Sequence, residues 1–140
     1  MKNNIKLFNL PIENKSIEIQ TIGDFLDKTP VLVLLHEGLG SISMWKEIPK
    51  LIHEKTNLNI LTYSRFGYGK SSKTNLLRPL NYMTIEAEKY LPIILKKLSI
   101  TKYFLIGHSD GATIAALGSL KPINNNLLGT VLIAPHFFVE

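Results

Sequence analysis

The segment Leu105-Ile-Gly-His-Ser-Asp-Gly111 is the strongest indication of the fold in this sequence. A short apolar run precedes it, and a run of small residues follows it, so the stretch joins a predicted strand to a predicted helix. A G-x-S-x-G pattern in this setting is typical of a sharp turn that exposes a serine hydroxyl. The two glycines remove side chains that would collide with neighbouring backbone. Ser109 is therefore the candidate nucleophile; an ordinary glycine-bounded turn is the alternative.

On both sides of this segment, apolar runs and turn signals predict six strands and three helices in the order β-β-β-α-β-α-β-α-β. The strands are expected at 5–10, 16–22, 31–35, 58–63, 103–106 and 128–134, and the helices at about 49–55, 84–98 and 110–120. Pro92 should kink the second helix. This alternation predicts one α/β domain over residues 1–140, with a mostly parallel sheet and helices on both faces.

Two further glycine-containing loops follow consecutive strands. His36-Glu-Gly-Leu-Gly-Ser41 comes after the buried run Val31–Leu35, and Arg65-Phe-Gly-Tyr-Gly-Lys-Ser71 comes after the next strand. Together with G-x-S-x-G, these loops closely resemble the α/β-hydrolase superfamily. Its members carry an H-G-x-x-G-type loop, an R-x-G-x-G-x-S loop and the serine motif in this order. The resemblance covers nearly the whole chain and implies an α/β-hydrolase fold.

The resemblance also implies roles for individual residues. Ser109 would be the nucleophile, and the backbone N–H groups of Gly38 and Asp110 would form the oxyanion hole. His36 is expected to hold its loop by hydrogen bonds rather than to catalyse. The implied partner is a small-molecule acyl substrate, with no cofactor and no metal. A carboxylic ester is the first expectation, although amide, thioester and carbon–carbon bond cleavage use the same parts.

Glu37 departs from the family pattern, which more often has glycine there. A carboxylate beside an oxyanion hole opposes the negative charge that develops in the reaction. Arg65 follows the adjacent strand, so our hypothesis is that Glu37 and Arg65 form an ion pair that braces the two loops. The alternative is that Glu37 is simply solvated.

A rival interpretation of the same loop is dinucleotide binding. The segment Gly38-Leu-Gly-Ser-Ile-Ser43 resembles the glycine fingerprint, and Arg65 could contact a 2′-phosphate. Three features disfavour NADP binding: Ser43 replaces the third glycine, Pro49 delays the following helix, and the loop does not follow the first strand of the fold.

The rest of the catalytic triad is not found. In this fold the order is Ser, then Asp or Glu, then His. After Ser109 the only acids are Asp110 and Glu140, and the only histidine is His136. We therefore expect a domain truncated after about the sixth strand, with the lid and the C-terminal strands and helices absent and with little or no activity. A separately encoded C-terminal half is the partner that this expectation implies. The alternatives are a minimal enzyme that uses His136 without an acid, and a non-catalytic hydrolase remnant or ligand-binding module.

The amino-acid composition disfavours several other classes of function. The net charge of +5 comes mostly from scattered lysines, since only Arg65 and Arg78 are arginines, and this disfavours nucleic-acid binding. There is no cysteine, which excludes disulfides and thiolate metal sites. No signal peptide and no apolar stretch of roughly 18 residues is present, so membrane association is not expected and the chain is predicted to be cytoplasmic.

Overall fold

A six-stranded sheet forms the centre of the molecule. The computed structural model describes residues 4–26, 28–74, 77–122 and 126–137. The strands are β1 (Ile5–Ile12), β2 (Lys15–Ile22), β3 (Val31–Leu35), β4 (Asn59–Ser64), β5 (Tyr103–His108) and β6 (Leu127–Ile133). Their spatial order is β1-β2-β4-β3-β5-β6. The pairs β4–β3, β3–β5 and β5–β6 are parallel, whereas β1–β2 and β2–β4 are antiparallel. The predicted mostly parallel sheet is confirmed.

Strand β3 lies between two parallel neighbours and is buried along its whole length. Val31, Val33 and Leu35 belong to the core on one face of the sheet, and Leu32 and Leu34 belong to the core on the other. An uninterrupted apolar run is what such a position requires, because successive side chains point to opposite faces and neither face is wet.

Helices cover both faces, as the sequence predicts. Helix α1 (Ile48–Thr56) has Pro49 in its first turn, where the missing N–H has no intrahelical partner to lose. Its residue Ile52 packs on the core that contains Leu32. On the opposite face lie α2 (Tyr82–Ile85), α3 (Leu91–Lys97) and α4 (Asp110–Leu120). Leu91, Ile94 and Leu95 of α3 pack there with Ile114 and Ala115 of α4.

The irregularity expected at Pro92 takes the form of a π turn. Helical structure runs from α2 through a π segment, Glu86–Tyr90, into α3, and the N–H of Leu91 bonds to the carbonyl of Glu86. Proline lacks an N–H and clashes with the carbonyl four residues before it in a regular helix. A wider turn directly before Pro92 relieves that conflict, and it also buries Glu86 on the core side.

The four parallel strands end at one edge of the sheet. From β3 the chain crosses to β4 on one side, and β5 lies on the other side of β3, so the strand order reverses between β3 and β5. Loops diverge at such a point and leave a crevice at the carboxyl ends of the strands. His36 to Gly40 follow β3, and Ser109 follows β5, so the predicted site residues converge on this crevice.

Within the described ranges, no helix has the length and apolar character needed to cross a membrane.

Candidate active site

Ser109 occupies a strained turn between β5 and α4. Its backbone has φ 55° and ψ −117°, a left-handed conformation that is costly for a residue with a side chain. A Cβ on Gly107 would lie 2.0 Å from the carbonyl oxygen of Gly111, and a Cβ on Gly111 would lie 2.0 Å from the carbonyl oxygen of Leu35. Both glycines of the motif are therefore required by backbone contacts, and the turn is not an ordinary loop.

The surroundings of Ser109 fix its backbone and leave its hydroxyl free. Its N–H donates to the carbonyl of Ile133 at 2.9 Å, which ties the elbow to the end of β6. Its carbonyl accepts from Ala112 and Thr113 and so starts α4. Among the described residues, the Ser109 hydroxyl has no hydrogen-bond partner. No general base contacts it there.

The β3 loop lies directly against the first turn of α4. A Cβ on Gly38 would be 2.9 Å from Oδ2 of Asp110, so a side chain at position 38 would push the Asp110 carboxylate aside. The first N–H groups of a helix have no intrahelical acceptor and carry the positive end of the helix dipole. The predicted oxyanion-hole residues, Gly38 and Asp110, are thus adjacent in space.

A buried arginine braces the β3 loop. Arg65 is 1% exposed, and its guanidinium donates to the carbonyls of His36 at 2.5 Å and Glu37 at 2.8 Å. The backbone N–H of Arg65 donates to Nε2 of His36, and Nδ1 of His36 donates to the carbonyl of Glu37. Burial, followed by the charge of Arg65, lowers the pKa of His36 to about 3. His36 is therefore neutral and holds the loop by hydrogen bonds.

The prediction that the side chains of Glu37 and Arg65 form an ion pair is wrong. Within the part of the chain that the structure describes, the two side chains form no ion pair, and Arg65 bonds the backbone carbonyl of Glu37 instead. The two loops are braced, but through main-chain oxygens that any residue at position 37 would offer. Because the Arg65 guanidinium is buried and occupied by these carbonyls, it is not placed to receive a 2′-phosphate.

Ser71 of the second loop has a defined structural role. Its hydroxyl donates to the carbonyl of Ser64 and accepts from the N–H of Glu18 on β2. The carboxylate of Glu18 then accepts from the Ser64 hydroxyl at 2.8 Å and from the N–H of Lys70 at 3.0 Å. The serine that ends the R-x-G-x-G-x-S motif therefore attaches this loop to the sheet.

A polar cluster next to Ser109 was missed by sequence reasoning. Oδ1 of Asp110 lies 2.9 Å from Nε2 of His136, and Oδ2 accepts a hydrogen bond from the hydroxyl of Tyr82. Burial, followed by the bond to Asp110, raises the pKa of Tyr82 to about 12, so the phenol stays protonated and donates. The only sequence signal was the position of Tyr82 near the start of the helix that precedes β5.

Comparison with known proteins identifies the family. The model of the α/β hydrolase fold family matches residues 30–139. The chain belongs to the α/β hydrolase fold family. Among curated relatives of this α/β hydrolase chain, a proline iminopeptidase of Lactobacillus delbrueckii subsp. lactis is 28% identical over 108 residues, which are 77% of this chain and 36% of the relative. The sn-1-specific diacylglycerol lipase ABHD11 of Danio rerio is 36% identical over 98 residues, 70% of this chain and 29% of the relative.

Solved structures show the same fold. A proline iminopeptidase-related protein from Thermus thermophilus superposes with a TM-score of 0.76 at 18% identity, over 94% of this chain and 45% of that one. The α/β hydrolase chain spans about a third of the length of the curated relatives named above.

Proposed function

We propose that this chain carries the nucleophile and oxyanion hole of a serine hydrolase that acts on acyl substrates. The observation that carries the proposal is the backbone of Ser109, held at φ 55° between a strand and a helix by two glycines whose replacement would create 2.0 Å contacts. Strain of this kind persists where the surrounding structure enforces it, and it is concentrated at functional sites. Here it presents a free hydroxyl at the crevice.

The proposed reaction is acyl transfer through Ser109. The Ser109 oxygen attacks the carbonyl carbon, and the carbonyl oxygen becomes an oxyanion. The N–H groups of Gly38 and Asp110 would donate to it, supported by the aligned dipole of α4. Arg65, buried behind the Gly38 loop, fixes that loop and adds positive potential. The leaving group departs, and water then releases the acyl group from the serine.

The substrate class that we propose is a carboxylic ester or a related acyl compound. The relatives support the breadth of this class, because one is named as a lipase and another as an iminopeptidase. The residues that surround Ser109 here would position the carbonyl group and do not distinguish an ester from an amide.

We further propose that this chain by itself turns over unactivated esters only slowly. The Ser109 hydroxyl has no hydrogen-bonded base among the described residues, and general-base assistance contributes about 10²–10⁴-fold to such reactions. A partner segment that places a base in hydrogen-bond contact with Ser109 would then raise the activity. The apolar residues Leu128, Val131 and Ile133 of β6 are about half exposed and offer a surface for such a segment.

A fluorophosphonate probe tests the proposal because it phosphonylates only activated serines. We expect the chain to be labelled, and we expect Ser109→Ala to abolish labelling while the matched control Ser43→Ala, in the β3 loop, leaves it unchanged. Equal labelling of wild type and Ser109→Ala would refute the nucleophile assignment. A chain that takes up no probe supports the non-catalytic alternative, and rapid turnover of an unactivated ester contradicts the proposed slow turnover.

A further inference from the structure

Asp110 and His136 form a hydrogen-bond contact next to the turn that contains Ser109. Nε2 of His136 is 2.9 Å from Oδ1 of Asp110, and the Asp110 side chain is 13% exposed against 41% for His136. Tyr82 occupies the other carboxylate oxygen. Each oxygen of the largely buried carboxylate thus has a partner, whereas the imidazole is partly exposed. Neither side chain had a role in the proposed oxyanion hole.

The backbone around His136 is anchored to α4. The hydroxyl of Thr113 donates to the carbonyl of His136 at 2.8 Å and accepts from its N–H at 3.3 Å. Three residues earlier, the carbonyl of Ile133 accepts the N–H of Ser109. The segment that follows β6 is therefore tied to the helix turn that contains Ser109, at two points on either side of Pro135.

The contact with Asp110 determines which nitrogen of His136 carries the proton. An ionised carboxylate can only accept hydrogen bonds, so Nε2 must hold a hydrogen. In the neutral imidazole the lone pair is then on Nδ1, which has no hydrogen-bond partner among the described residues. A neutral histidine whose tautomer is fixed by a buried acid and whose other nitrogen is free is poised to accept a proton.

We propose that His136, oriented by Asp110, is the general base available to Ser109 within this chain. The chain order is Ser109, Asp110, His136, so an acid does precede the histidine, although it lies inside the elbow. The inference rests on the proposed function, since it needs Ser109 as nucleophile. In the resting structure the two side chains are not hydrogen-bonded, and such contacts often tighten only when substrate binds.

With an activated aryl ester as substrate, the hydrogen of the Ser109 hydroxyl moves to Nδ1 of His136 as the serine oxygen forms a bond to the carbonyl carbon. The bond between that carbon and the aryloxy oxygen breaks, and the imidazolium returns its proton to the leaving aryloxide. Water then attacks the acyl-serine, and the same nitrogen takes a proton from the water. That proton passes to the serine oxygen as the acyl–serine bond breaks, which restores Ser109 and releases the acid.

The pH dependence of labelling tests this role. His136 contacts Asp110 on α4, and Asp110 contacts Tyr82 on α2. His36 and Arg65 interact electrostatically with Asp110, and Arg78 lies over the ring of Tyr82. With its pKa raised to about 12, Tyr82 stays protonated near neutrality, and with its pKa lowered to about 3, His36 stays neutral there. A pH dependence of the rate that His136→Gln removes would therefore report His136. The expected direction is a slower reaction when the imidazole is protonated, because an imidazolium has no lone pair to accept the serine proton.

The variants are His136→Gln, Asp110→Asn and the control His53→Gln on α1, each checked for folding by circular dichroism. We measure the rate of 4-nitrophenol release in the first turnover and the rate of fluorophosphonate labelling. His136→Gln should slow both about 100-fold and flatten the pH profile, at the lower end of general-base effects. Asp110→Asn should do the same because an amide can donate to Nε2 and move the hydrogen to Nδ1. His53→Gln should match wild type.

The outcomes separate this inference from the proposed function. If Ser109 labels and His136→Gln labels at the wild-type rate with the wild-type pH profile, the base assignment is overturned and the nucleophile assignment stands. If Ser109 is not labelled in any variant, both are overturned. Restoration of the His136→Gln rate by added imidazole, with no effect on Ser109→Ala, supports the base directly.

Discussion

Replacing Gly111 by alanine should separate a forced backbone contact from ordinary packing. The new Cβ would lie 2.0 Å from the carbonyl oxygen of Leu35, whereas Cβ contacts below 3.0 Å are essentially never found. Helix α4 must therefore move away from β3 by at least about 1 Å. The contacted atoms are backbone, so no side chain can rotate out of the way. We assign the upper part of the range for overpacking, about 3 kcal/mol of lost stability.

Gly118 in the same helix provides the matched control. A Cβ there would lie 3.4 Å from Leu91 and 3.6 Å from Leu105, which are normal van der Waals distances. Glycine inside a helix is less stable than alanine by about 0.5–1 kcal/mol, so Gly118→Ala should be neutral or stabilising. Both substitutions add one methyl group to α4, but only the methyl group at position 111 meets backbone atoms at short distance.

The assay is urea unfolding followed by the fluorescence of Trp45, the single tryptophan, which is buried. With an m-value of about 1.5 kcal/mol/M, a loss of about 3 kcal/mol lowers the midpoint by about 2 M. Fluorophosphonate labelling of Gly111→Ala should also fall about 100-fold, because a displacement near 1 Å at a reacting group has effects of that size. If Gly111→Ala is as stable as Gly118→Ala and labels normally, the reasoning about the elbow is refuted.

Three further predictions concern charge and the sheet edge. Arg65→Met should cost about 3 kcal/mol because two buried carbonyls lose their donor, whereas Glu37→Gln should stay within about 0.5 kcal/mol; urea unfolding of both variants checks this. Burial raises the pKa of Glu86 from 4.5 to about 7, so its contribution to stability is full below pH 4.5 and is lost as the pH rises through 7, at a cost of about 3 kcal/mol. Glu86→Gln should remove that dependence in unfolding measured from pH 4 to 8. Val131→Lys on β6 should reduce concentration-dependent self-association in light scattering, while Leu26→Lys, equally apolar but away from the edge, should not.

The order of strands and the three loops could be predicted because each depends on local chemistry. An unbroken apolar run such as Val31–Leu35 indicates a central strand, and the spacing of Gly107, Ser109 and Gly111 indicates a turn that few other sequences can form. The observed strand ends differ from the predicted ones by two residues or fewer. The fold and the position of the nucleophile follow from patterns that are read within a few residues.

Contacts between distant segments could not be predicted in the same way. Tyr82 and Asp110 are 28 residues apart, and nothing in either segment states that the start of α2 meets the start of α4. The partners of Arg65 could not be predicted for a different reason. The sequence suggested a carboxylate as its partner, but the loop turns its main-chain oxygens toward the guanidinium, and main-chain acceptors are available at every position.

The carboxylate that lies against the proposed oxyanion hole is not the one that the sequence indicated. Asp110, rather than Glu37, has its carboxylate against Gly38. A negative charge about 4 Å from a developing oxyanion would oppose it by about 4 kcal/mol at an effective dielectric constant of about 20. Tyr82 and His136 each occupy one oxygen of that carboxylate. When His136 accepts the serine proton, the new imidazolium charge lies beside Asp110 at the moment the oxyanion forms. Proton transfer and relief of the Asp110 charge would therefore occur in the same step, which is why loss of His136 should affect the rate of acylation more than it affects stability.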